Sequence, residues 1–214
     1  MSERAKDILE WVYCIVIAVV IAMLIKYFVG TPTVVQQDSM YSTLMQGDRL
    51  ILNRLSKTFN TMPKRGDIIT FEAPSKVFYK EGEADTSNPI AKYEKDPNSI
   101  IGKFGYHVLE INKTSYIKRV IGIPGDHIEI KEGDVYRNGE KLNEEYLDEG
   151  MRTEATGQFS DITVPEKTIF AMGDNRSVSM DCRVFGCVPL ERIEGNVVMR
   201  FWPLNKIGGV DWNK

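Results

Sequence analysis

YIKRVIGIPGD, from Tyr116 to Asp126, reads as a β-strand that ends in a turn. Its first half is rich in β-branched and aromatic residues, which suit a pleated, half-buried surface, and Pro, Gly and Asp close it. The pleat sends Tyr116, Lys118 and Val120 to one face and Ile117, Arg119 and Ile121 to the other. One cation therefore shares its face with a tyrosine and a valine. If that face points inward, burial disfavours the charged amine, and a lysine can become neutral near about pH 7 to 8. A lysine on an edge strand, with its head in water, fits the same stretch.

Further runs of this kind lie on both sides. Thr33 to Gln37, Asp48 to Asn53, Asp67 to Phe71, His127 to Lys131, Asp134 to Arg137, Thr168 to Met172 and Asn196 to Trp202 are short and bounded by turn residues. Asn138-Gly139, between VYR and EKL, suits the positive backbone angles of a tight hairpin. Pro189 to Ile193 can form one helical turn, with Pro at its first position. Ser75 to Thr114 keeps no clear apolar period, even around Ile100-Ile101, and reads as a polar surface insertion, partly mobile, with little of the chemistry. Glu144 to Asp161 is a second polar loop of similar character.

Ahead of these strands, Trp11 to Ile25 reads WVYCIVIAVVIAMLI without a charge, and Tyr27, Phe28 and Val29 extend the run past Lys26. With Lys26 reaching back to the interface, the run approaches the roughly 20 residues that cross a bilayer core. No small-residue cleavage site follows it, and it has no polar face. Arg4 and Lys6 favour a cytoplasmic N-terminus. The expected organisation is mainly β: a short cytoplasmic N-terminus (1–9), a single transmembrane helix (10–29), and an extracytoplasmic body of antiparallel sheets (30–214) with the insertion at about 75–114.

Composition narrows the function. A chain of 214 residues with net charge −3 and no basic stripe offers no nucleic-acid surface. Cys14, Cys182 and Cys187 lack the paired spacing of a zinc site. His107 and His127 alone leave a Ser-His-Asp triad little to draw on.

Two more stretches carry candidate chemistry. QQDSMYSTLMQGDRL, Gln36 to Leu50, brings Ser39 and Met40 within a few tens of ångströms of the anchor, since each intervening residue spans at most about 3.3–3.6 Å. MGDNRSVSMDCRVFG, Met172 to Gly186, is dense in charge and hydroxyls, and Asp181 can pair with Arg183, or either with Arg176. A serine nucleophile without histidine needs a neutral amine to take its proton, which is what an inward Lys118 offers.

Together these stretches resemble the bacterial type I signal peptidases, membrane-anchored serine proteases with a Ser-Lys dyad. QDSMYSTL is similar to the family's Ser-Met-x-Pro-Thr-Leu box, GDRLILNRL and PKRGDII to the strands after it, YIKRVIGIPGD to its lysine box, and GDNRSVSMDCR to its Gly-Asp-Asn-Arg box. The resemblance implies that Ser39 is the nucleophile and Lys118 the general base. It also implies that Met40 and Tyr116 line the substrate cleft, that Ser179 orients Lys118, and that Asp181 with Arg183 supports the site. The implied activity is endopeptidase cleavage of N-terminal signal peptides from exported precursors at the membrane surface, after small residues. Membrane lipid is the other implied partner, and no cofactor, metal or nucleotide is implied.

Ser42 stands where the family has proline, leaving the turn freer, and Cys182 stands where it has serine. The amide of Ser39 is the expected first oxyanion donor. Gln37 fills the position of a hydroxyl donor in some relatives, so a second donor is unassigned. Two other readings compete: a sortase-like transpeptidase with Cys182 as nucleophile and a histidine partner, and a membrane-tethered β domain without activity.

Overall fold

The computed structural model describes residues 3–80 and 82–210. Residues 1–2 of the expected N-terminal flank, residue 81 of the insertion and residues 211–214 of the body lie outside the described residues. Helix α1 runs over Glu3–Phe28 and takes in the polar residues ahead of the apolar run as well. Within it Lys6–Phe28 is long and apolar enough to cross a membrane, and its most apolar stretch is not packed inside the protein. The helix is thus no buried core element.

Among the described residues the strands of the body pair antiparallel, and an isolated parallel bridge joins Ile90 to Cys187. The strands are β1 (Gly30–Val34), β2 (Arg49–Asn53), β3 (Ile68–Glu72), β4 (Ser115–Gly122), β5 (His127–Lys131), β6 (Asp134–Arg137), β7 (Glu140–Lys141), β8 (Asp161–Thr163), β9 (Thr168–Met172), β10 (Val188–Pro189) and β11 (Ile193–Trp202). They form a seven-stranded sheet, β1-β2-β11-β3-β4-β9-β10, and a four-stranded sheet, β7-β6-β5-β8. Short helices α2 (Leu55–Thr58), α3 (Ile100–His107) and α4 (Cys182–Phe185) join them.

The hairpin at Asn138-Gly139 forms as its sequence predicts. Both residues have positive φ, 55° and 83°, and Arg137 pairs with Glu140 across them. The turn predicted near Pro189 is a single 3-10 turn, Leu190–Arg192. β1 begins and ends earlier than Thr33 to Gln37: Val35 still bonds to Asp48 and Gly47 through its backbone, and the chain beyond it turns toward Ser39. β7, β8 and β10, of two or three residues, are too short for an alternation to announce them.

A main core lies between the sheets, where Ile69, Phe71, Val120, Phe170 and Ala171 meet Ile128, Ile130 and Ile162. Each fully buried Ile, Val or Phe side chain among them stabilises the fold by about 1.5–3 kcal/mol. A smaller core of Val35, Met40, Leu44, Leu50, Leu52 and Ile68 sits beneath the Ser39 turn.

The insertion is more structured than its sequence predicts. Phe78 and Ala91 are buried in the main core. Its backbone is stitched to the segment around α4: Phe78 N–H donates to Val184 (2.6 Å), Ala91 N–H to Cys187 (2.8 Å) and Cys187 N–H to Pro89 (2.6 Å). These contacts join residues distant in sequence and leave no periodic signature. Ile100-Ile101 opens α3, whose N-terminus is capped by Ser99 Oγ accepting from Gly102 N–H at 2.9 Å.

Candidate active site

Ser39 lies in a 3-10 turn, Asp38–Met40, that follows β1. Met40 drives its side chain into the smaller core and fixes the turn from beneath. Lys118 lies on β4, paired to Ile69 of β3, while β9 joins β4 only from Arg119 onward. Its side chain is 1 % exposed, and its Nζ lies 2.7 Å from Ser39 Oγ. Burial lowers the Lys118 amine from 10.5 to about 8, although the charges of Asp181 and Asp174 pull it back upward. Among the described residues no carboxylate forms an ion pair with Lys118, and the Tyr116 ring lies 5.4 Å from its ammonium.

Arg119, on the opposite face of β4, is buried too, so both faces of this strand are inside. Its guanidinium makes a two-point pair with Asp174, Nε to Oδ1 at 2.9 Å and Nη2 to Oδ2 at 2.7 Å. This fixes the Gly173–Asn175 loop, which holds the nucleophile turn by its backbone. Asn175 N–H donates to Ser39 O (3.0 Å), and its side-chain amide donates to Asp38 O (3.2 Å). A Cβ on Gly173 would lie 2.4 Å from Ser39 O and 2.3 Å from Ser179 Oγ, so the close approach requires glycine.

Asp181 and Arg183 form a second buried two-point pair, at 2.8 and 2.9 Å. Asp181 also caps α4 and accepts from Gly173 N–H. Arg183 Nη2 donates to the Arg176 carbonyl at 2.8 Å. Arg176 turns away from Asp181: it donates to Glu144, to Thr153 Oγ1 and to the Gly173 carbonyl. The loop after Glu144, expected to be an idle surface feature, therefore belongs to the brace. Tyr146 from the same loop lies 3.9 Å from the Arg119 guanidinium.

Ser179 is buried nearby, yet its hydroxyl has no hydrogen-bond partner among the described residues, Lys118 included. Ser42 is not free, because its hydroxyl donates to Asp148 Oδ1 at 2.6 Å. Gln37 makes no side-chain capping bond and is exposed. The cysteine reading fails on burial: Cys182 is fully buried, its thiol is pushed well above the ordinary range, and its sulfur accepts from Ala171 N–H. The histidines pair elsewhere, His107 with Asp96 and His127 with Asp161. Cys182 and Cys187 are free thiols.

A groove of about 390 Å3 runs between residues 31–37, along the outer strand β1 and its continuation, and residues 113–117 at the start of β4. Sequence reasoning missed Arg119, Asp174, Asn175 and Glu144. Asp174 and Asn175 lay in a stretch marked as unusually charged, but nothing in one sequence pairs them with β4 or with residue 144.

The family model described as signal peptidase, peptidase S26, matches residues 8–202. The chain belongs to that family. This signal peptidase is 34 % identical over 194 residues to a probable signal peptidase I-1 of Synechocystis, with 91 % of this chain and 82 % of the relative covered. It is 31 % identical over 217 residues to signal peptidase I of Bacillus licheniformis, covering 98 % and 97 %. A crystal structure of a signal peptidase I from Enterococcus faecalis is 27 % identical, covers 64 % of this chain and 97 % of its own, and superposes with a TM-score of 0.39. The peptidase is a serine endopeptidase of the signal peptidase I type, with an N-terminal apolar helix that fits a membrane anchor.

Proposed function

We propose that this peptidase cleaves signal peptides from exported precursors through a Ser39–Lys118 dyad. The observation that carries the assignment is the 2.7 Å contact between a buried hydroxyl and a buried amine that has no carboxylate partner among the described residues. The precursor lies as an extended strand in the groove between residues 31–37 and the start of β4, where backbone groups hold it in register. Neutral Lys118 takes the Ser39 proton while Oγ bonds to the scissile carbonyl carbon. The ammonium then protonates the departing amine as the C–N bond breaks, leaving an acyl-enzyme. Lys118 next takes a proton from water, whose oxygen attacks the acyl carbon. Ser39 Oγ leaves with the proton returned, and the signal peptide is released.

The Ser39 amide, in the first turn of its 3-10 helix, is the oxyanion donor. Tyr116 borders the cleft, and Met40 contributes from below. Asp181 and Arg183 hold Gly173, and Ser179 packs against the Gly173 backbone. Residues 1–9 lie in the cytoplasm, 10–29 span the membrane, and 30–214 lie outside with lipid beneath them. The test is cleavage of a precursor in proteoliposomes by the intact chain, Ser39→Ala and Lys118→Ala. Both variants must lose the cut while keeping the fold, and a Lys118→Ala variant that still cleaves would falsify the dyad.

A further inference from the structure

Helix α3 is built inside out. Its half-buried face carries Gly102, Gly105 and Tyr106, while Ile100, Ile101 and Phe104 point outward at 88 %, 85 % and 47 % exposure. Leu109 and Ile111, just after it, are also exposed, as is Phe59 at the end of α2. A surface helix in water turns its apolar stripe to the core. Here the glycines take that place, and a contiguous run of large apolar side chains faces away from the protein.

The position of this run says what covers it. Glu110, three residues beyond α3, pairs with Lys26 Nζ at 3.1 Å, and also with Arg54. Thr58 Oγ1 at the end of α2 donates to the Phe28 carbonyl, the last residue of α1, at 2.9 Å. Lys26 lies two residues short of the helix end, a rise of about 3 Å. The segment after α3 and the end of α2 are thus tied to the depth at which the apolar helix leaves the bilayer. Lys103, exposed between Ile101 and Phe104, sets a cation among these apolar side chains, as on helices that lie in an interface.

We infer that α3 and the segment to Ile111 form a membrane foot: Ile100, Ile101, Phe104 and Ile111 enter the headgroup–acyl boundary beside α1. The foot gives the catalytic body a second attachment and fixes its tilt, so that the groove's entrance stays at the height of a membrane-inserted substrate. The occupant is lipid. This inference rests on α1 spanning the bilayer.

The test uses the full chain in vesicles of zwitterionic and anionic phospholipid. Single cysteines at Ile101→Cys, Phe104→Cys and Lys131→Cys, in a Cys14→Ala background, carry nitroxide labels, Lys131 lying exposed on the smaller sheet. Labels at 101 and 104 are expected to collide with oxygen in preference to a water-soluble nickel chelate, and the label at 131 to show the reverse. A label on native Cys14 reports separately whether α1 lies in lipid, so failure of the anchor is distinguishable from failure of the foot. Nickel access at 101 and 104 equal to that at 131 overturns the inference. Protection from both quenchers also overturns it, because a protein surface rather than lipid would then cover α3. In parallel, Ile101→Asp/Phe104→Asp is expected to cut a vesicle-embedded precursor about tenfold more slowly. The same variant should hydrolyse a short soluble peptide at the unchanged rate. Equal losses on both substrates would mean a damaged fold and no foot.

Discussion

Lys118 and Arg119 are neighbours on one strand, both fully buried, and they are treated in opposite ways. Arg119 faces Asp174 in a two-point pair, so a counter-charge sits directly against it. Lys118 faces a hydroxyl, and burial without a direct counter-charge lowers its amine to about 8. The alternation of a β-strand thus places a compensated cation beside an uncompensated one, separated by the sheet. The first holds the nucleophile's loop in place, and the second is available as a base. A buried cation becomes a structural clamp or a proton acceptor according to whether its own face supplies a carboxylate.

The largest effect should come from removing the uncompensated cation. Lys118→Ala is expected to lower kcat/KM for a precursor by about 10^4-fold, nearly as much as Ser39→Ala, with no further loss in the double variant. Lys118→Met should do the same while raising stability at pH 7. The folded amine titrates near 8 and the unfolded one near 10.5, so below pH 8 the fold carries the full cost of a buried charge. That cost is about 3 kcal/mol and is relieved as pH rises through 8 to 10.5. A melting difference between Lys118→Met and the parent should therefore shrink between pH 8 and 10.5. A constant difference would mean that the amine is charged in neither condition or solvated in both.

Removing the counter-charge on the other face should have a different signature. Asp174→Ala leaves Arg119 buried and unpaired, and a loss of about 3–5 kcal/mol in unfolding free energy is expected. Arg119→Met/Asp174→Leu should recover most of that stability, because it removes both charges, yet activity should remain low since the Asn175 loop loses its anchor. Denaturant titration beside peptide hydrolysis separates the two. If the double variant regains activity with stability, the pair is structural only.

The intact protein offers a gentler perturbation of the same contrast. With Lys118 at about 8, kcat/KM should rise about tenfold per pH unit below pH 8 and level off above it. A limb that rises only near pH 10 would mean that burial does not lower the amine.

What could be read from the sequence divides along the same line. The alternation of YIKRVIGIPGD placed Lys118 and Arg119 on opposite faces correctly, because a period of two is a local property. The Asn-Gly hairpin was equally local. The clamp was not: Asp174 meets Arg119 across 55 positions, and Glu144 meets Arg176 across 32. Pairings of that kind depend on how the sheet closes, and no single stretch encodes them. The insertion misled for a related reason, since Phe78 and Ala91 find the core as isolated residues and α3 turns its apolar side outward. Periodicity detects a stripe that faces a core and does not detect one that faces away.

The smallest expected effect concerns the turn that carries the nucleophile. Its backbone is held on one side by Asn175 and on the other by Ser42, whose hydroxyl reaches Asp148 in the loop that also supplies Glu144 and Tyr146. The Ser42 bond is exposed, so its net contribution is about 1 kcal/mol or less. Ser42→Ala and Asp148→Ala should each lower kcat/KM only a few-fold, and the double variant no further. Ser42→Pro removes the same hydroxyl but fixes the backbone at that residue near φ −65°. If the tie serves to stiffen the turn, Ser42→Pro should restore the rate that Ser42→Ala loses. If Ser42→Pro is as slow as Ser42→Ala, then the loop's grip on the turn, rather than the turn's own rigidity, holds Ser39 within reach of Lys118.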